Sequence, residues 1–592
     1  MERIFNIPNQ AIMQRRGNGF LIASFFLIVC TIVCSENILA QARYSVVIAE
    51  IMADPTPQVA LPNAEWLELK NTSTSAINLQ GFRLQKPGSS PSGPMPSFLL
   101  QPDSSVVVCT SSQVPALSVF GSTISVTSFP SLGNDGDPIV LLSPNSSTMH
   151  AVAYDISWYK NSLKAQGGWT LEMIDSKQPC IGANNWTASV DAKGGTPGKT
   201  NSVQRNNPAA SGAKLLYAFA NNANTVTLTF DESLDSSKAA IASNYTISDG
   251  ISINASTPQA PFFNTVLLQL NNSLSAGKIY TVNVGAITDC SGNAINPAYT
   301  AARLGVASNA DSLEVVVNEI LFNARPQEED YIELYNRSNK VLNLRQLNLA
   351  NRSSSNGQLG SFVPLSPNDR PLFPGDYMAF TVNAEILKRS YTVLKPMQVI
   401  QLPSMPSFPD DKGWAVVLNQ QGKIVDELAY TERWHFALLN NAEGVALERI
   451  DFERPTNQPD NWTSAAGSAN FGTPTAQNSQ FRTAGQPKGE ITINPKVFSP
   501  DNDGFDDFTL IEFRFPEPGF VANITVMDAA GRPVRILQRN VTCAATGSFR
   551  WDGLNDKQQK VPVGTYIVFT EIFNLQGQKQ SFKNTTVVAK KF

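Results

Sequence analysis

Apolar positions along this chain come in short runs, and polar turn residues separate them. Thr225-Val226-Thr227-Leu228-Thr229-Phe230 alternates strictly, and Trp66 to Lys70 puts Leu67 and Leu69 on one face. A period of two marks a strand with one face turned inward. Val46 to Ile51, Gly81 to Leu84, Ser105 to Cys109 and Pro138 to Leu142 add strands of the same kind. Val266 to Leu270, Tyr280 to Val284, Ile524 to Asp528 and Gly564 to Phe569 repeat the habit further along. Pro, Gly, Ser and Asn fill the gaps. The pattern predicts an all-β chain of tandem β-sandwiches.

A long motif is written twice. Val46-Val47-Ile48-Ala49-Glu50-Ile51 precedes Glu65-Trp66-Leu67-Glu68-Leu69-Lys70-Asn71, and Val315-Val316-Val317-Asn318-Glu319-Ile320 precedes Tyr331-Ile332-Glu333-Leu334-Tyr335-Asn336. Leu171-Glu172-Met173-Ile174-Asp175 and Asn185-Trp186-Thr187 return as Leu447-Glu448-Arg449-Ile450-Asp451 and Asn461-Trp462-Thr463. Both copies finish in Gly-Thr-Pro, at Gly195 and Gly472. A repeat this long is a duplicated domain, not a solenoid. The offset is constant over the back half, pairing Leu142 with Leu418, Tyr154 with Tyr430 and Trp158 with Trp434, which implies a shared register there.

A chain of 592 residues needs several cores. The expected division is 44–205 and 312–480 for the two copies, 212–305 for an immunoglobulin-like domain between them, and 488–592 for a C-terminal one. A net charge of −4 gives no electrostatic case for nucleic acid. Residues 1–42 read as a signal peptide: Arg15 and Arg16, an apolar stretch from Phe20 to Val33, then Ala40-Gln41-Ala42 as a cleavage site. That stretch, about 14 residues, is short against the roughly 20 that span a bilayer, and no later segment is long and apolar enough.

The repeated segments resemble the lamin-tail domain, an immunoglobulin-like sandwich. The residues that carry the likeness are Asn318-Glu319-Ile320, Tyr331 to Asn336, Ile77-Asn78-Leu79-Gln80-Gly81-Phe82-Arg83-Leu84 and the Asn-Trp near each end. Leu344-Arg345-Gln346-Leu347 departs from it, lacking the Gly before an aromatic. Leu215 to Ala302 is similar to the Ig-like module of bacterial surface-layer proteins, through Phe230-Asp231-Glu232-Ser233-Leu234, Asn244-Tyr245 and Asp289-Cys290-Ser291-Gly292-Asn293. The last segment resembles the flagellar hook-capping Ig-like module and C-terminal modules of secreted Bacteroidetes proteins, through Phe498 to Gly504, Gly531-Arg532-Pro533-Val534, Trp551-Asp552-Gly553 and Gly564-Thr565-Tyr566. That likeness implies sorting through the type IX route to the cell surface.

Candidate chemistry is sparse. Asp501, Asp503, Asp506 and Asp507 surround Gly504, a pattern that suits calcium, which prefers several carboxylate oxygens in a tight loop. The spacing is not that of an EF-hand, and the competing reading is a solvated turn whose aspartates cap backbone amides. Glu50 with Glu68, and Glu319 with Glu333, could work as acid and base or hold a metal, or simply accept hydrogen bonds from neighbouring strands and loops. His150 aligns with Asp426 and His435 with Tyr159, so neither belongs to a shared feature, and both read as surface residues. Trp158, Trp434, Trp186 and Trp462 fill sandwich cores or, if exposed, stack on sugars. Cys30 and Cys34 fall in the signal; of Cys109, Cys180, Cys290 and Cys543, only Cys109 and Cys180 share a domain, as a disulfide or as two buried thiols.

These readings lead to an exported, non-catalytic cell-surface protein, structural or adhesive, binding a surface polymer or protein through its loops. The C-terminal module would engage the export machinery. A carbohydrate-binding protein and an accessory to a secreted nuclease are the alternatives.

Overall fold

The computed structural model describes residues 42–208, 211–437, 439, 441–481, 489–515, 519–575 and 579–590. The signal-like segment, with Cys30 and Cys34, lies outside them apart from Ala42. The described chain is a series of immunoglobulin-like β-sandwiches. Among the described residues no helix is long and apolar enough to cross a membrane.

The two copies are built alike. In the first, a six-stranded sheet runs 186–188, 171–173, 46–52, 66–71, 105–109, 123–125; in the second, the matching order is 462–464, 447–449, 315–321, 331–336, 377–381, 399–401. The last strand of each sheet pairs parallel to its neighbour, and the other pairings are antiparallel. Opposite lie 83–85, 136–142 and 148–155 in the first copy, and 363–364, 347–350, 412–419 and 424–431 in the second. Between the sheets Leu67, Leu69, Val106, Val108, Ile139 and Leu141 close the first core, as Ile332, Leu334, Phe380, Val417 and Leu428 close the second.

The alternation in 66–71 needs one addition. Leu67 and Leu69 face the core, yet every residue of that strand is buried. Trp66 packs on the other face with Met52, Leu61, Val107, Cys109 and Leu117. That outer face is covered by the segments carrying Leu61 and Leu117 and, at Glu68, by the chain returning after the Gly-Thr-Pro turn.

Each first strand carries a β-bulge at one place, between Ile48 and Glu50 and between Val317 and Glu319. A bulge leaves backbone groups unpaired. Here side chains take them up: Asn201 Nδ2 donates to the Ala49 and Met173 carbonyls at 2.9 Å each, and Asn478 Nδ2 to those of Asn318 and Arg449 at 2.9 and 2.8 Å. The departure at Leu344–Gln346 is a 3-10 turn started by Asn343, whose side chain accepts the Arg345 amide.

Between the copies, strands 215–222, 225–230, 265–270 and 253–258 face 245–247, 280–284 and 301–304. Val226, Leu228 and Phe230 point inward, as their alternation predicts. The C-terminal sandwich sets 490–494, 509–514 and 546–551 against a five-stranded sheet of 497–498, 579–588, 564–573, 521–528 and 533–542. Trp551 and Phe498 sit in its core, edge to face.

The sandwiches are bonded to one another. Arg303 reaches both carboxylate oxygens of Asp376 at 2.6 and 2.8 Å and lies over Phe373. Gly467 donates its amide to Thr542 Oγ1 at 2.9 Å and Ala545 donates to the Ser479 carbonyl at 3.0 Å. The first junction is covalent: Cys180 and Cys290 form a disulfide.

Candidate functional site

The glutamates of the repeat come together as triads. The register places Glu50 opposite both Glu68 and Glu172, and Glu319 opposite both Glu333 and Glu448. All six are buried. Glu172 and Glu448, quoted in the repeat, are the members that pairing by sequence overlooks; their constant offset from the Asn-Trp elements was the available signal.

Most of their oxygens are taken up, chiefly by the returning arm of the chain, while Glu68 Oε1 has no hydrogen-bond partner. Glu50 accepts the Thr196 amide at 2.7 Å and the Thr170 hydroxyl at 2.7 Å, and Glu68 accepts the Gly198 amide at 2.5 Å. Glu172 accepts Thr196 Oγ1, Ser202 Oγ and the Val203 amide at 3.0, 2.8 and 3.1 Å. In the second copy Glu319 takes the Thr473 amide and Tyr331 Oη, Glu333 the Thr475 amide and Asn318 Nδ2, and Glu448 the Thr473 and Ser479 hydroxyls and the Gln480 amide. The glycine of Gly-Thr-Pro permits this approach: a Cβ at Gly195 would stand 2.7 Å from Thr170 Cγ2 and 2.9 Å from Glu50 Oε1.

Burial drives Glu50, Glu68, Glu319, Glu333 and Glu448 toward the protonated form, and neighbouring carboxylates reinforce it at the first four. Burial lifts Glu68 to about 7, and burial with the Glu448 charge lifts Glu319 to about 8. Burial raises Glu50 and Glu333 well above the usual carboxylate range, with the charges of Glu68 and Glu319 respectively adding to it. The triads are hydrogen-bond receivers that fasten the arm to the sheet.

The histidines correct the sequence expectation. His150 is not a surface residue: it is fully buried, and its Nδ1 accepts the Ile48 amide beside the bulge at 3.0 Å. Asp426, its aligned counterpart, accepts the Val317 amide at 2.8 Å, so the position is a shared feature after all. His435 is half-buried, with Nδ1 at 2.9 Å from Ser464 Oγ. Ser464 is itself buried and also accepts the Phe436 amide, and His435 Nε2 has no partner. Among the described residues no carboxylate bonds to the ring, so there the pair lacks the third member of a triad. Burial lowers both imidazoles to about 4.

The cysteine expectation is also corrected. Cys109 ends a strand whose outer face packs under Trp66 and Leu117, and it is a free buried thiol, as is Cys543. Cys180 lies on a loop facing the next sandwich and bonds to Cys290 there. Loop position, not module membership, sets which sulfurs meet.

In the acidic loop, carboxylate oxygens of Asp501, Asp503 and Asp507 lie within 4.8 Å of one another; Asp506 is not in that group. The same side chains cap the turn. Asp507 accepts the Asn502 and Gly504 amides at 2.5 and 2.8 Å, Asp501 the Asp503 amide at 3.3 Å, and Asp503 the Phe505 amide at 2.9 Å.

The tryptophans divide. Trp186 and Trp462 are buried, whereas Trp158 and Trp434 are half-buried and lie over them at ring distances of 6.2 and 6.5 Å.

Comparison with solved structures finds low-identity likenesses. The N-terminal part of the bacterial S-layer protein SbsC is 11% identical over 37% of this chain and 43% of its own, with a TM-score of 0.17. A DUF4876 family protein from Bacteroides thetaiotaomicron is 12% identical over 40% of this chain and 86% of its own, also at 0.17. A Ca2+-stabilized adhesin with which an Antarctic bacterium binds ice is 9% identical over 92% of this chain and 99% of its own, at 0.11. The chain spans about half the length of the S-layer structures it matches, 43% to 55%. TM-scores this low carry no argument about function. No curated protein matches. Two family models do: residues 40–155 match the Lamin Tail Domain and residues 200–304 the Bacterial Ig-like domain, so the first copy and the module after it are similar to those families.

Proposed function

We propose that this chain is an exported, non-catalytic protein of the cell surface, structural or adhesive, in which sandwiches 44–205, 212–305, 312–480 and 488–592 hold binding loops away from the envelope. The observation that carries the reading is the joining of successive sandwiches by a disulfide, a two-pronged Arg303–Asp376 pair and a shared hydrogen-bonded junction. Such links restrain the relative motion that tandem domains otherwise show. A disulfide also suits an oxidising compartment. The Lamin Tail Domain and Bacterial Ig-like domain matches support a modular chain. The C-terminal module is proposed to engage the type IX export machinery of a Bacteroidetes cell, on the residues quoted for that likeness.

Antibody labelling of intact cells tests the reading. Surface signal from the parent, lost when the residues from Gly489 onward are deleted, supports it; a protein confined to the cytoplasm overturns it. Metal-dependent nuclease activity in the purified chain would overturn the non-catalytic part. Calcium in the loop of Asp501, Asp503 and Asp507 is a secondary proposal, resting on the closeness of the ligand atoms. Calorimetry decides it: saturable heat that vanishes in an Asp501→Ala, Asp503→Ala double variant supports it, and no heat in the parent disposes of it.

A further inference from the structure

A cleft of about 300 Å³ opens between the first sandwich and the one after it. Half-buried Trp158 lines it, resting on the buried Trp186. Across from the tryptophans, the second sandwich contributes Asp231, Glu232, Phe262 and Asn264. The Cys180–Cys290 bond ties the two sandwiches together beside it. The volume is at the lower end for small-molecule sites, with room for roughly one or two sugar rings.

One lining group has unmet bonding capacity. Glu232 Oε2 is buried without a hydrogen-bond partner. A buried acceptor left unpaired is costly, so such groups signal a missing partner. Nearby donors, Lys214 and the Ser291 and Asn293 amides, are turned to the two neighbouring aspartates. Asp231 is engaged by Lys214 at 3.4 Å and accepts the Lys214 amide at 2.6 Å, while Asp289 is used by the Ser291 and Asn293 amides. Burial and the charges of Asp231 and Asp289 raise Glu232 to about 7.

An aromatic face opposite planar polar side chains is complementary to a ring with one apolar face and equatorial hydroxyls. We propose that this cleft binds a neutral saccharide, with Trp158 stacking on a sugar ring and the Glu232 carboxyl group accepting a sugar hydroxyl. The proposal gives a ligand class to the adhesive role suggested above and rests on that reading. A primary ammonium, which would also meet an aromatic ring and a carboxylate, is the competing occupant.

Saturation-transfer NMR on the purified full chain, with cellobiose, maltose, lactose and chitobiose in turn and butylammonium as the contrasting solute, tests it. At least one disaccharide is expected to bind saturably. Trp158→Ala should weaken it tenfold or more and Glu232→Gln severalfold, with thermal midpoints near the parent's for Glu232→Gln. Trp434→Ala, at the aligned position of the other copy, should leave it unchanged. No saturable disaccharide, binding of butylammonium alone, or binding indifferent to Glu232→Gln and Trp158→Ala would overturn the proposal. Because the assay uses purified protein, a failure here leaves the cell-labelling result untouched.

Discussion

His150 and Asp426 do one job with different chemistry: each accepts the amide on the near side of the bulge in its own copy, at 3.0 and 2.8 Å. The imidazole accepts through Nδ1, so its proton sits on Nε2, toward the Pro179 carbonyl at 3.4 Å. It serves as a neutral acceptor. Asp426 serves as an anion, held by Thr456 Oγ1 at 2.5 Å and by Arg449 at 3.6 Å, both ion-pair side chains being 1% exposed.

His150→Ala should therefore cost the first copy roughly 1–3 kcal/mol, the penalty of a buried amide without its acceptor. Asp426→Ala should cost more, about 3–5 kcal/mol, because it also strands a buried guanidinium. Urea denaturation of the variants checks both, and equal costs would contradict the difference in chemistry.

The triads set a pH dependence. A carboxyl whose folded pKa lies above its ordinary 4.5 binds more protons folded than unfolded, so its contribution fades as pH climbs through the folded value, about 7 for Glu68 and about 8 for Glu319. The histidines, lowered from 6.5 to about 4, act in the opposite sense between those values. Above pH 6.5 only the carboxyl effect remains. Stability should fall by on the order of 1–2 kcal/mol from there toward pH 8, and Glu319→Gln should flatten that decline. Thermal midpoints across the range read it directly.

Gly195→Ala and Gly472→Ala should each destabilise by roughly 1–3 kcal/mol, since the added methyl collides with the floor of the arm's groove. At Gly472 it would meet Tyr391 Cδ1 at 2.6 Å and Tyr331 Oη at 2.7 Å. Gly88→Ala, where a Cβ has open space around it but the backbone has φ of +82°, separates conformational strain from collision. Calorimetric scans of the three variants give the comparison.

Peptide mapping without reduction should recover Cys180 joined to Cys290, with Cys109 and Cys543 alkylated only after unfolding. The bond closes a separation of 110 residues, so reducing it should cost on the order of 2–4 kcal/mol.

Much of the fold is legible in the sequence where one face of a strand meets the core and the other meets water. The alternation of 225–230 gives its inward set directly, and the constant offset between the copies reflects a shared sheet order. It is less legible where both faces are covered. Nothing local to Trp66–Asn71 tells that an arm more than a hundred residues later lies over it. The equivalence of His150 and Asp426 is opaque in the sequence because their residue types differ, whereas the backbone asks only for an acceptor. The disulfide was opaque because it joins two loops whose meeting depends on how the sandwiches dock. The cleft beside it has the same origin: Trp158 and Glu232 are separated in sequence and belong to different modules.

The arm that crosses each triad also fixes the order of events during synthesis. Thr196, Gly198 and Val203 are among the last residues of the first copy to be made, and Thr473, Thr475 and Gln480 among the last of the second. Until they emerge, three glutamates on adjoining strands have no cover, and each sheet stays open on one side. A nascent chain thus carries each copy unfinished only until that copy's own closing residues arrive, and the first latches from its tail before the second has begun.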